Sequence, residues 1–145
     1  MIFYIKTTEC RIISFNEIIE INNFDFHTSI EKELKCFKEE IGFLTWDVSI
    51  ALNRFNNGER LLGFFPEFDI KGWVWLNPNE KLVYNLYVNK RYRRRGWGSR
   101  LHYVIQSVAK DMELDEIYCN IDDWNQSSIS VAKKTGWKIL NNQYI

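Results

Sequence analysis

Two glycines separated by one residue, Gly96 and Gly98, stand where a strand pattern ends and a helical pattern begins. Leu82–Val88 reads as a strand. From Ser99 to Met112 the apolar residues Leu101, Val104, Ile105, Val108 and Met112 recur at i, i+3, i+4, i+7 and i+11, one stripe of an amphipathic helix. Ile117, Cys119 and Ile121 then alternate with Tyr118 and Asn120, which predicts a strand over Glu116–Ile121. A strand, a helix and a strand in that order make a βαβ crossover with parallel strands. Such a unit needs a sheet around it and helices over it, so it constrains the rest of the chain.

The N-terminal half supplies matching parts. Met1–Ile5 reads as a short strand, and Ser14 as the cap of a helix over Phe15–Ile21. Thr28 or Ser29 starts a second helix running to about Ile41, with Gly42 as its stop, and Thr45 precedes a third over Trp46–Phe55 that closes at Asn57-Gly58. Arg60–Phe65 and Ile70–Leu76, joined by the turn-rich Pro66–Asp69, form a hairpin, and a turn over Asn77–Glu80 leads into Leu82. At the other end Asn125 caps a helix to about Thr135, Gly136 ends it, and Trp137–Leu140 begins a last strand. The predicted fold is α/β over a single domain, residues 1–145. Its mixed sheet joins an antiparallel N-terminal meander to a parallel central βαβ unit, with helices on both faces.

The loop Asn89–Arg100 carries the chemistry. Closely spaced glycines let the backbone turn successive N–H groups outward at a helix N-terminus, whose partial positive charge suits a phosphate. Six basic residues, Lys90, Arg91, Arg93, Arg94, Arg95 and Arg100, add to that potential. A solvated basic turn with glycines for geometry is the plainer reading. A Walker loop needs four residues between its glycines and a Gly-Lys-Ser/Thr end, which this chain lacks. A dinucleotide fingerprint needs a third glycine where Leu101 stands, although Asp115 and Glu116 lie near the offset of a ribose-binding acid. A third pattern, Arg/Gln-x-x-Gly-x-Gly/Ala, is satisfied by Arg93, Gly96 and Gly98.

Composition narrows the classes. Formal net charge is zero, which argues against a polyelectrolyte binder. Cys10, Cys36 and Cys119 are odd in number and far apart, and His27 and His102 share no ligand spacing. Neither a disulfide framework nor a metal site is expected. The first residues are too short for a signal peptide's apolar region, and no apolar run approaches a membrane span, so a cytoplasmic location is expected.

With its loop and a second block, Asn125–Ile129 followed by Ala132–Trp137, the chain resembles the GNAT superfamily of N-acetyltransferases from about Leu82 to Leu140. The resemblance implies acetyl-CoA as cosubstrate and acetyl transfer to a primary amine by direct attack. It implies that backbone amides around Arg93, Arg94, Arg95, Gly96, Trp97, Gly98 and Ser99 hold the pyrophosphate. It further implies that Leu86, Tyr87 and Val88 offer a strand edge to the pantetheine arm, with Asn125 near the cofactor besides capping its helix. Two positions depart from the family pattern. Ala132 stands where many members carry a tyrosine acid, leaving Tyr118, Tyr144 and Ser128 as replacements. Tyr84 and Asn85 stand where a carboxylate base is frequent, leaving Glu67, Asp69 and Asp122.

Trp73, Trp75, Phe64, Phe65 and Phe68 crowd the hairpin, most of them as packing, with one or two available to shape an amine pocket. A CoA-binding module without catalysis, and a nucleic-acid binder using residues 90–100, are the competing functions. An aromatic-rich surface leaves pairing of two copies open.

Overall fold

A computed structural model describes residues 1–22 and 27–140. Its elements run β1 (Ile2–Lys6), β2 (Ile18–Ile21), α1 (His27–Ile41), α2 (Val48–Asn56), β3 (Arg60–Phe64), β4 (Gly72–Asn77), β5 (Leu82–Val88), α3 (Trp97–Asp111), β6 (Glu116–Asn120), α4 (Gln126–Lys134) and β7 (Lys138–Ile139). Short 3-10 turns cover Thr7–Glu9 and Lys90–Tyr92. The strands form one sheet in the order β2-β3-β4-β5-β6-β1-β7. From β2 to β5 all pairings are antiparallel, and β5 meets β6 in parallel, so the meander and the central βαβ unit stand as the sequence predicts.

One predicted element changes type. The helix expected over Phe15–Ile21 is instead strand β2, paired with β3 from Ile18 opposite Phe64 to Ile21 opposite Leu61. Three isoleucines in four residues favour a pleated surface. The pairing also brings Arg60 of β3 into a two-pronged ion pair with Glu20. Ser14 caps nothing here. The cap of α2 is Asp47 rather than Thr45, its carboxylate accepting from Ile50 N–H at 2.8 Å.

Alternation along the strands divides the core in two. Leu62, Phe64, Val74, Leu76 and Val83 face α3 and α4, packing with Leu101, Ile105, Ile129 and Ala132. Leu61, Trp73, Trp75 and Tyr87 face α1 and α2, packing with Ile30, Leu34, Phe37, Trp46 and Ala51. The hairpin aromatics are therefore core residues, except Phe68, which is 91% exposed on the β3–β4 turn. Trp46 meets Trp73 and Trp75 edge to face, with ring centroids 5.0 and 5.2 Å apart. All three indole N–H groups are buried without a nitrogen or oxygen acceptor among the described residues. Edge-to-face rings supply a partial substitute, because the indole edge is positive and the facing ring negative.

Gly72 opens β4 opposite Val88, and a Cβ there would come within 2.7 Å of the Tyr87 carbonyl oxygen. Backbone cannot swing aside as a side chain can. Gly72→Ala should therefore destabilise the fold by about 1–3 kcal/mol, the usual range for overpacking, readable by urea unfolding. An unfolding midpoint equal to that of the unaltered chain would contradict this register. Among the described residues no helix is long and apolar enough to cross a membrane.

Candidate active site

The parallel pair at the centre of the sheet is joined only at its start. Leu82 stands opposite Tyr118, with Tyr118 N–H donating to the Lys81 carbonyl at 2.7 Å, and beyond this point β5 and β6 diverge. The divergence has a local cause in β5. Trp73 faces Tyr87 but Trp75 faces Tyr84, so Asn85 and Leu86 together stand opposite Val74. This is a β-bulge, and Asn85 takes the left-handed conformation with φ of 57°. Arg54 of α2 holds the bulge: its Nη1 donates to Asn85 Oδ1 at 3.0 Å, and its guanidinium lies over the Tyr84 and Trp75 rings.

Between the diverging strands lies a cleft of about 300 Å³. Leu86 and Asn85 line one wall, Cys119 to Asp122 the other, with His102 of α3 and Asn125 and Ser128 at the start of α4. Asn89 N–H donates to the Lys71 carbonyl at 2.7 Å, continuing the β4–β5 ladder. Alternation along that ladder turns the N–H and C=O of Leu86 and Val88 away from β4, toward the cleft. Arg93 Nε occupies the Val88 carbonyl at 2.7 Å. Tyr87 differs from its two neighbours, because its backbone faces β4 and its hydroxyl donates to Glu33 at 2.8 Å on the opposite side of the sheet.

Glu33 fixes that end of β5 from α1. It is 1% exposed and accepts from Tyr87 Oη, Asn89 Nδ2 at 2.7 Å and Lys71 Nζ at 3.3 Å. Burial and the hydrogen bond to Glu33 push the Tyr87 hydroxyl well above its usual range. Sequence reading missed Glu33, since a glutamate within a helix normally faces water. One signal was available: Glu33 falls between Ile30, Leu34 and Phe37 on the apolar stripe.

The glycine loop sits at the same end of the sheet. Arg94 and Gly96 both have left-handed backbone, with φ of 62° and 84°. Alternation of hand along a short loop gathers N–H groups into a concave nest. The first of these to reach a helical acceptor is that of Arg100, on the Gly96 carbonyl at 3.1 Å. Those from Arg94 to Ser99 have no acceptor among the described residues. A Cβ at Gly98 would meet only Val131 Cγ1 at 4.0 Å, so nothing inside the protein calls for glycine there.

The side chains of the loop divide by role. Arg93 forms a two-pronged pair with Glu40 of α1 and anchors the loop to the sheet. Trp97 stacks on Phe64 at 4.4 Å and Tyr92 meets Phe64 edge-on, so both aromatics face the core. Arg95 lies over Tyr92 and Arg100 over Trp97. Lys90, Arg91 and Arg94 make no ion pair among the described residues and remain exposed.

The acid and base candidates scatter. Asp122 and Ser128 line the cleft, and Asn125 does so while its Oδ1 accepts from Ser128 N–H at 3.2 Å. Its expected capping role is met, and the same residue borders the cleft. Tyr118 is not in the lining, because it lies where β5 and β6 are still joined and its hydroxyl bonds Glu116, which pushes it up to about 12. Glu67 and Asp69 are exposed on the β3–β4 turn, away from the cleft lining. Tyr144 lies outside the described residues. Ala132 is fully buried on the core-facing side of α4. No cluster of metal-binding side chains occurs among the described residues.

His102, which carried no role in the sequence, lines the cleft at 3% exposure. Its Nδ1 accepts from the Trp137 indole N–H at 3.0 Å. Burial lowers its pKa from 6.5 to about 4, so it is neutral at pH 7. Between these two values the unfolded chain binds a proton that the folded chain refuses. Stability from this group is thus fully present above pH 6.5 and is lost as pH falls toward 4. The difference is worth roughly 3 kcal/mol. Urea unfolding of the unaltered chain and of His102→Asn should converge by that amount as pH falls across this window. Parallel pH curves would contradict a buried neutral imidazole.

The model of the Acetyltransferase (GNAT) family matches residues 15–137. Among solved structures, a GNAT-family acetyltransferase from Staphylococcus aureus Mu50 is 22% identical with a TM-score of 0.66, the alignment covering 88% of this chain and 87% of that one. AAC(6')-Iy, solved with the bisubstrate analog CoA-S-monomethyl-acetylneamine, is 13% identical with a TM-score of 0.68, covering 89% and 95%. A Drosophila protein is 15% identical with a TM-score of 0.66, and there 94% of this chain spans 46% of the longer one. At these identities the structures speak to the fold alone. No curated protein matches the sequence.

Proposed function

The chain belongs to the GNAT acetyltransferase family, and we propose that it moves an acetyl group from acetyl-CoA to a primary amine by direct attack in the cleft between β5 and β6. One observation carries this reading: an open strand edge and a nest of unpaired N–H groups lie at the same end of the sheet, with the cleft between β5 and β6 beside them. A diphosphate suits the nest, and an amide chain suits the edge. The space at Gly98 is what a closely approaching ligand needs, since the protein leaves it open. The complex of AAC(6')-Iy with a CoA-containing bisubstrate analog adds support at the level of a shared fold.

Acetyl-CoA supplies the acetyl group as a thioester, activated toward a free amine. The residues of this chain do the rest. N–H groups from Arg94 to Ser99 bind the diphosphate, with the exposed Arg94 side chain adding charge. Leu86 and Val88 align the pantetheine arm, and the Leu86 N–H faces the carbonyl oxygen, where negative charge develops. Asp122, the one carboxylate lining the cleft among the described residues, takes the amine's proton directly or through water. Cys119 lies beside it but is held as a thiol, since burial pushes it up to about 12.

Packing of Tyr92 and Trp97 on Phe64 weakens the nucleic-acid alternative, which requires aromatic faces free to stack on bases. The test is release of CoA thiol from acetyl-CoA in the presence of a panel of primary amines. Amine-dependent release supports the reading. Saturable CoA binding without release for any amine would favour a binding module instead.

A further inference from the structure

We propose that His102 is the hydrogen-bond donor to the thioester sulfur, using an Nε2–H whose tautomer the Trp137 indole fixes. This rests on the acetyl-transfer reading and adds the group that assists the leaving thiolate.

The indole can only donate, so His102 Nδ1 must present its lone pair, and the ring proton of the neutral imidazole must then sit on Nε2. Among the described residues Nε2 has no acceptor, and the ring lines the cleft beside Ser128 and Asn125. A second proton on Nδ1 would oppose the indole N–H. The arrangement therefore excludes an imidazolium, and it excludes a base as well, since the only free lone pair is already engaged. What remains is a neutral, oriented donor in a wall shielded from water. That complements an atom that gains negative charge during reaction and carries little before it.

The position selects the sulfur. The strand edge of β5 forms one wall, and its N–H groups serve the carbonyl oxygen. His102 enters from α3, where α3 abuts the end of α4: Gln106 Nε2 donates to the Thr135 carbonyl at 3.0 Å and Trp137 N–H to the Ala132 carbonyl at 3.1 Å. Ala132 offers only a buried methyl group here, and the Ser128 hydroxyl of α4, which also lines the cleft, can rotate, whereas the imidazole donor is held in one direction by the Trp137 indole. As the amine nitrogen bonds to the acetyl carbon and the C–S bond breaks, the electron pair stays on sulfur. His102 keeps its proton and stabilises that charge, the amine's proton leaves through Asp122 or water, and solvent protonates the thiolate later.

Two measurements test this. In the unaltered protein, the His102 Nε2–H resonance should shift on adding CoA and stay in place on adding desulfo-CoA, which lacks only the sulfur. In His102→Asn, the amide oxygen can still accept from Trp137 but no donor reaches the Nε2 position. Its bound CoA thiol, followed by thiolate absorbance, should be roughly 10- to 100-fold less acidic than in the unaltered protein, the usual range for a hydrogen bond to a charged group. His102→Gln, whose amide nitrogen reaches the Nε2 position, should recover part of this. Equal resonance shifts with CoA and desulfo-CoA, or equal thiol acidity in the two proteins with CoA affinity retained, would overturn the proposal. Failure of the unaltered protein to bind CoA at all would instead overturn the acetyl-transfer reading beneath it.

Discussion

Gly98→Val is expected to lower acetyl-CoA affinity by roughly 100-fold or more while the protein stays folded. The argument is one of space and of which partner needs it. In the folded chain a Cβ at position 98 meets nothing closer than Val131 Cγ1 at 4.0 Å, so the branch point of a valine has ordinary van der Waals room. It would also suit α3, because glycine is poorer in a helix than other residues by up to about 1 kcal/mol. Thermal unfolding should accordingly be unchanged or slightly later. A diphosphate drawn against the N–H groups of residues 94–99 has no such room. A branched side chain there would hold it off at least two donors, each charge-assisted bond being worth about 1.5–3 kcal/mol, and two such losses exceed a hundredfold in affinity. Calorimetric titration beside a thermal melt separates the two effects. Undiminished affinity with an intact fold would show that the diphosphate lies elsewhere.

Glu33→Ala should have the largest effect on stability, a loss of about 3–5 kcal/mol, as is usual when one partner of a buried charged network is removed. Tyr87 Oη and Asn89 Nδ2 would each keep a buried donor without an acceptor, and Lys71 would lose its counter-charge. Because Lys71 is partly open to water, the lower end of the range is expected, equivalent to an unfolding temperature roughly 10 °C lower. Since this network secures the end of β5 next to Arg93, acetyl-CoA affinity should fall as well. An unfolding temperature within about 2 °C of the unaltered chain would remove Glu33 from its supporting role.

Much of the candidate site's backbone was legible in the sequence because it depends on local backbone rules. A strand, two spaced glycines and a helical stripe specify a βαβ turn with outward N–H groups, and the positive φ of Gly96 is what such a turn requires. Asn125 and Gly136 likewise mark the two ends of α4 through capping and left-handed backbone. What escaped depends on partners distant in the chain. Ile18–Ile21 becomes a strand only because β3, some forty residues later, offers it an edge. The bulge at Asn85 follows from a register shift against β4 and a guanidinium from α2, neither of which is written into Leu82–Val88. Glu33 and His102 are the same case. Each sits among apolar residues of its helix, where pattern alone assigns core, and each acquires meaning from Tyr87, Asn89 or Trp137 across the sheet or the helix layer. The tyrosine candidates illustrate the converse, since Tyr118 alternates correctly along its strand and still lies where the two central strands have not yet parted.

The central claim, that the loop and the open edge of β5 hold acetyl-CoA, is tested most directly by calorimetric titration of the unaltered protein with acetyl-CoA. The titration is run at two salt concentrations, with NAD as a control. Saturable one-site binding of acetyl-CoA at both salts, with no heat from NAD, is the predicted result. Absence of binding at either salt, or equal binding of NAD, would contradict it.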